Sequence, residues 1–110
     1  MDIKQALEKG QSKAQVTKIV EHIGNNKNRF AELVKIFIAG PYRITQRAAW
    51  PLTYCAEAHP HLVTPHLRKI LSHACRPGVH DAVKRNTVRL LQFVEIPENL
   101  QGEVAELCFG

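Results

Sequence analysis

Apolar residues recur along this chain with the spacing of an α-helix. Several segments place them near positions i, i+3, i+4 and i+7, which lie on one face of a helix. No segment alternates apolar and polar residues over a length that would predict a β-strand. The pattern therefore predicts an all-α protein of about six or seven helices, the first of them short and covering residues 2–9. The apolar sets are Val16, Ile19, Val20 and Ile23; Phe30, Leu33, Val34, Phe37 and Ile38; Val63, Leu67, Ile70, Leu71 and Ala74; Val83, Thr87, Leu90, Leu91 and Val94; and Leu100, Val104 and Leu107.

Capping and turn residues fall between these sets. Ser12 followed by Gln15 has the pattern of a capping box, in which a side chain accepts from a free backbone N–H at the start of a helix. Asp81 is expected to be the N-cap of a later helix. Pro51 lies inside a predicted helix, where the missing N–H is expected to kink it. The remaining turn signals are Gly24 with three asparagines, Gly40-Pro41, His59-Pro60, Pro65, Arg76-Pro77-Gly78 and Ile96-Pro97.

The chain resembles itself after a shift of 38 residues, which places Arg47 over Arg85 and Leu52 over Leu90. Both copies show an arginine, an apolar face, a corner with proline and a second apolar face. A repeat of this length built from two helices is typical of α-solenoids. We expect one domain over residues 1–110, with repeats at about 12–40, 41–76 and 79–110, the last of them cut short.

One of these copies resembles a HEAT repeat. "RAAWPLTYCAEAHPHLVTPHLRKIL" has small residues opening the first helix, a corner marked by proline and a leucine-rich second helix, and "DAVKRNTVRLLQF" resembles the Asp-x-x-x-Arg opening of the family. The chain is also similar to short bacterial HEAT-like proteins of unassigned role. The resemblance implies a right-handed α-solenoid of antiparallel helix pairs. It also implies a structural ladder of polar residues, here Arg47, Asp81 and Arg85, although Arg43 stands where the second repeat should have an acidic residue.

The composition sets limits on the class of protein. A chain of 110 residues with 45% hydrophobic and 23% charged residues suits one globular domain with a modest core. No apolar run approaches the length of a membrane span, and "MDIKQALEKG" is not a secretory signal. Three cysteines at wide spacing do not form a disulfide framework, which favours a reduced, cytoplasmic location.

The segment "CAEAHPHLVTPHL" contains four residues that can bind metal: Cys55, His59, His61 and His66. A closed zinc site needs four such ligands arranged tetrahedrally. The repeat alignment explains the same positions without metal, since Cys55 aligns with Phe93 and His59 with Pro97. We therefore expect a polar corner between two helices, with no metal and no other cofactor.

The most informative charges are expected on or beside the second helix of each pair: Lys35, Arg68, Lys69 and Arg76. In HEAT-like proteins these helices line the concave face. The sequence offers no nucleophile with an oriented base, so we expect no catalysis. The favoured function is a scaffold or adaptor that binds another protein through this face. The alternative, supported by a net charge of +5, is a weak nucleic-acid-binding module related to DNA alkylation-repair proteins.

The last residues, "ELCFG", follow directly on the apolar positions Val104, Leu107 and Cys108. An end repeat of a solenoid exposes apolar surface unless a polar element covers it. The sequence therefore predicts that the natural chain continues past Gly110 or that this end packs against another copy.

Overall fold

The structure, a computed structural model, describes residues 2–10, 12–76, 78–102 and 104–105. This part of the chain is helical and contains no β-strand. None of its helices is long and apolar enough to cross a membrane. The α-helices are α1 (Ile3–Lys9), α2 (Lys13–Ile23), α3 (Lys27–Ala39), α4 (Tyr42–Ala58), α5 (Leu67–Ala74) and α6 (Asp81–Leu91), and short 3₁₀ helices cover Pro60–Leu62, Thr64–His66 and Glu98–Leu100.

Side chains cap the starts of α1, α2 and α3, whereas no side chain caps α4, α5 or α6. Ser12 Oγ accepts a hydrogen bond from the Gln15 backbone N–H at 3.2 Å, as the capping pattern predicts. Asn26 caps α3 in the same way, 3.0 Å from the Arg29 N–H. The prediction for Asp81 is wrong by one residue: His80 is the N-cap of α6, no side chain caps this helix, and Asp81 is its first helical residue. The exposed carboxylate there still interacts favourably with the positive end of the helix dipole.

Helix α4 lies at the centre of the molecule. Pro51 lies within this helix and does not end it, and the kink expected at Pro51 stays a prediction. It packs against α2 and α6 on its two flanks and against α3 beneath, while α3 also contacts α5. The helices therefore form two layers: α2, α4 and α6 in one, and α3 and α5 in the other. The shortest dimension of the molecule, 20 Å, is that of two helix layers.

Buried apolar side chains from both layers make one core, and the predicted apolar faces supply most of it. Three of the predicted residues, Val20, Ile38 and Val104, are only partly buried. The predicted positions Leu107 and Cys108 lie outside the described residues, and so does the self-association expected there. The α3–α4 turn is fixed by the buried Thr45 hydroxyl, which donates to the Phe37 carbonyl at 3.0 Å.

Two side chains attach the short helix α1 to the rest of the domain. Arg47 on α4 donates to the carbonyl oxygens of Leu7 at 2.9 Å and Glu8 at 3.1 Å. Gln15 on α2 donates to the Ala6 carbonyl at 3.1 Å. The last carbonyls of a helix lack partners within it, so the Arg47 guanidinium satisfies groups that would otherwise need water.

Candidate binding groove on the second helices

Two pairs of aromatic rings set the spacing between α3 and α5. The ring of Phe30 lies 5.9 Å from that of His66, and the ring of Phe37 lies 5.9 Å from that of His73. Both phenylalanines are on α3, seven residues apart, and the two histidines show the same separation along the α5 segment. Because successive contacts advance in the same direction on both helices, α3 and α5 run parallel to each other, as second helices of adjacent repeats do.

A surface groove follows this helix pair. It consists of two adjoining clefts, of about 240 and 420 Å³, which share Ala31 and His66 as lining residues. We call it the second-helix groove. Its lining residues are Lys27, Asn28, Ala31, Val34, Lys35, Ile38, Ala39, His61, Leu62, Pro65, His66 and Lys69.

The lining of the second-helix groove combines an apolar floor with a basic rim. Val34 and Leu62 are buried, whereas Lys27, Lys35 and Lys69 are exposed. No aspartate or glutamate is among the lining residues. The groove therefore presents positive charge beside apolar surface.

The histidines of this region differ in their environments. Burial, with Lys69 as a smaller cause, lowers the pKa of His66, and burial followed by the nearby Arg76 lowers that of His73. His73 Nδ1 is buried and has no hydrogen-bond partner among the described residues. His61 is exposed, and its Nε2 lies 2.6 Å from Asn25 Oδ1. The lowered pKa keeps His66 and His73 uncharged at neutral pH, and Lys27, Lys35 and Lys69 bring positive charge to the groove.

The lowered pKa of His66 and His73 predicts that acid destabilises the domain. A histidine whose pKa is lower in the folded protein binds a proton more readily in the unfolded chain. The free energy of unfolding is therefore highest above pH 6.5, the ordinary histidine pKa, and it falls as the pH drops below that value. Melting temperatures between about pH 7.5 and about pH 5.5, a range around the histidine pKa, should decline more steeply for the natural chain than for the double variant His66→Gln, His73→Gln. Equal slopes for the two proteins would show that neither histidine is responsible.

The predicted binding residues separate into two groups. Lys35 and Lys69 line the groove together, on facing helices. Arg68 and Arg76 are exposed but do not line it. Helix α5 directs Lys69 into the groove and its neighbour Arg68 elsewhere, because adjacent residues are about 100° apart around a helix.

The three residues of the predicted polar ladder do not form one connected group of contacts. Arg47 holds the end of α1, as described above. The side chains of Asp81 and Arg85 are exposed on α6 and make no hydrogen bond or ion pair with another described residue. A ladder joining all three stays a prediction.

The four residues considered for metal binding have separate surroundings. Cys55 is in the core, where burial raises the pKa of its thiol to about 12. The rings of His59 and His61 lie edge to face at 5.8 Å, and His66 packs on Phe30. Within the described ranges, no three His, Cys, Asp or Glu side chains are placed to hold a metal ion.

A second cleft involves aromatic residues that the sequence analysis did not single out. Trp50 is only partly buried and lines an open cleft beside the exposed Tyr54. The i, i+4 spacing of the two aromatic residues could have indicated this surface, because both fall on the same side of α4.

Stacked pairs of helices in two layers define a helical repeat protein. A family profile described as the HEAT repeat domain matches residues 3–110, which is nearly the whole chain. The chain therefore belongs to the HEAT repeat family, and its fold is a HEAT-like helical solenoid. Neither the curated proteins nor the solved structures contain a significant match to it.

Proposed function

We propose that this protein is a non-catalytic scaffold whose second-helix groove binds an acidic segment of a partner protein. The observation that carries the proposal is the combination of an apolar floor with a rim of lysines and no carboxylate among the lining residues. HEAT repeat domains commonly mediate protein interactions, which is consistent with a scaffold.

Charge complementarity selects the partner. Lys35 and Lys69 stand on opposite sides of one cleft, so a carboxylate entering the groove approaches both ammonium groups. Opposite charges across an interface favour the correct partner and raise the rate of association. Ile38 and Ala39, which line the same cleft, can receive an apolar side chain, as in other grooves that bind amphipathic helices. The expected ligand is therefore a segment with alternating acidic and apolar faces.

The same groove is less suited to nucleic acid, the alternative function. Affinity for nucleic acid rises with the number of phosphates that lysine and arginine neutralise, and three lysines provide few such contacts. Single-stranded nucleic acid also needs exposed aromatic rings for stacking. Phe30 and Phe37, which lie beneath the groove, are buried. We expect duplex DNA to bind no more tightly than about 10⁻⁵ M at physiological salt, within the range for non-specific contacts.

The test is site-specific photo-crosslinking in lysate of the source organism. A benzoylphenylalanine placed at Ala39 lies at the exposed edge of the groove, and the control position, Thr17 on α2, is exposed in the other layer. The expected product at position 39 is a peptide rich in Asp, Glu and apolar residues, and position 17 should not give it.

Three results would contradict the proposal. The first is crosslinking at position 39 mainly to nucleic acid, which would favour the alternative function. The second is a crosslinked segment without acidic residues, or one that belongs to another copy of this chain. The third is the same set of products at positions 39 and 17, since this would show that the groove has no selectivity.

A further inference from the structure

The first-helix layer contains a separate cleft of about 400 Å³ between α4 and α6. Its chemistry differs from that of the second-helix groove. The lining residues that matter here are Gln46, Trp50, Tyr54 and Glu57 from α4, and Asn86 and Arg89 from α6. The volume is within the range of small-molecule sites.

One wall of this cleft is aromatic. Trp50 and Tyr54 are one helical turn apart, with ring centroids 6.5 Å apart and planes inclined by 32°. Tyr54 is 43% exposed, although large aromatic side chains usually bury most of their surface. The two rings form a platform on which a planar ligand can stack, and Trp50 is the only tryptophan in the chain.

The charged groups of the cleft are of opposite sign and are not paired with each other. The side chains of Glu57 and Arg89 both line it, yet no salt bridge joins them, and neither side chain makes a hydrogen bond to another described residue. A purely cationic ligand would meet the Arg89 guanidinium, and a purely anionic ligand would meet the Glu57 carboxylate. The cleft therefore suits an uncharged ring that donates hydrogen bonds on one edge and accepts them on another.

We propose that this cleft binds a guanine base stacked on Trp50 and Tyr54. Guanine offers two acceptors, O6 and N7, which an arginine can contact with two donors at once. Its Watson–Crick edge carries the N1–H and amino donors, from which a carboxylate can accept hydrogen bonds. Arg89 and Glu57 match these two edges, and the Asn86 and Gln46 amides, which both donate and accept, can bind the remaining polar atoms. Adenine, cytosine and uracil do not present this pair of edges.

Trp50 itself provides the measurement. Titration of the natural chain with guanosine should quench tryptophan fluorescence in a saturable way, because stacking brings the base against the indole. Adenosine, cytidine and uridine are titrated under the same conditions, and free tryptophan amide corrects each fluorescence reading for absorption by the nucleoside. These three nucleosides should bind at least about tenfold more weakly, as loss of a charge-assisted pair implies.

Matched variants test the assigned groups. Glu57→Gln and Arg89→Gln should each weaken guanosine binding by about tenfold. Glu32→Gln, at an exposed glutamate of α3 outside this cleft, should leave it unchanged. Melting temperatures confirm that each variant is folded.

A single-stranded oligonucleotide with one central guanine identifies the source of the base. Tighter binding of this oligonucleotide than of guanosine indicates nucleic acid as the natural ligand, and binding of guanosine alone indicates a free nucleoside. The proposal is wrong if no ligand quenches Trp50 saturably up to millimolar concentration, if the four nucleosides quench equally, or if Glu57→Gln binds guanosine as well as Glu32→Gln does. Its failure would leave the second-helix groove unaffected, because the two sites share no residue.

Discussion

Replacement of Phe37 by alanine is expected to lower the free energy of unfolding by about 3–5 kcal/mol, the usual cost of removing a buried aromatic side chain. Phe37 is 1% exposed, and its ring packs against His73, so the truncation opens a cavity between α3 and α5. A domain of this size is stable by only about 5–15 kcal/mol. The loss should appear in urea unfolding followed by circular dichroism as a large fall in the midpoint.

Phe93→Ala is the matched control, because Phe93 is the same residue type but only partly buried beyond the end of α6. It should cost clearly less than Phe37→Ala. Equal losses for the two variants would contradict the placement of Phe37 at the centre of the contact between the second helices.

Replacement of Leu91 by alanine is expected to lower the free energy of unfolding by about 2–5 kcal/mol, as for core leucines in general. Leu91 ends α6 and is 6% exposed, within the same core as the residues of α4. Urea unfolding gives the measurement, with Val88→Ala as the control at a half-buried position one turn earlier. A loss below about 1 kcal/mol, typical of surface substitutions, would place Leu91 outside the core and break the assigned register of α6.

The apolar periodicity predicted the helices because burial of one face dominates the stability of a surface helix. The same pattern could not show that Val20 and Ile38 are only half covered, since this depends on how closely the neighbouring helices approach. The position of Asp81 shows a second limit. A good capping residue was present, but the chain starts α6 one residue earlier, and sequence patterns fix helix ends only to within a residue or two.

The candidate site was predictable in part. Helical spacing and the repeat pattern placed Lys35 and Lys69 on second helices, and both line the groove. The pattern did not separate Lys69 from its neighbour Arg68, because the rotation of α5 against α3 is set by tertiary packing, here by the contacts of His66 and His73 with phenylalanines. The role of Arg47 at the end of α1 also required the fold, since the residues involved are 39 and 40 positions apart.

The most direct test of the binding account compares two adjacent residues of α5. A synthetic peptide of the acidic segment captured at position 39 is titrated by calorimetry into the natural chain and into the variants Lys69→Glu and Arg68→Glu. Both variants make the same change of charge on an exposed residue of one helix, but only Lys69 lines the groove. We expect Lys69→Glu to weaken binding by about tenfold or more, since it places like charges in contact, and Arg68→Glu to change it by less than about threefold through screened longer-range repulsion. Equal losses of affinity in the two variants would show that the peptide binds by non-specific charge attraction. An undiminished affinity in Lys69→Glu would exclude the groove as the binding site.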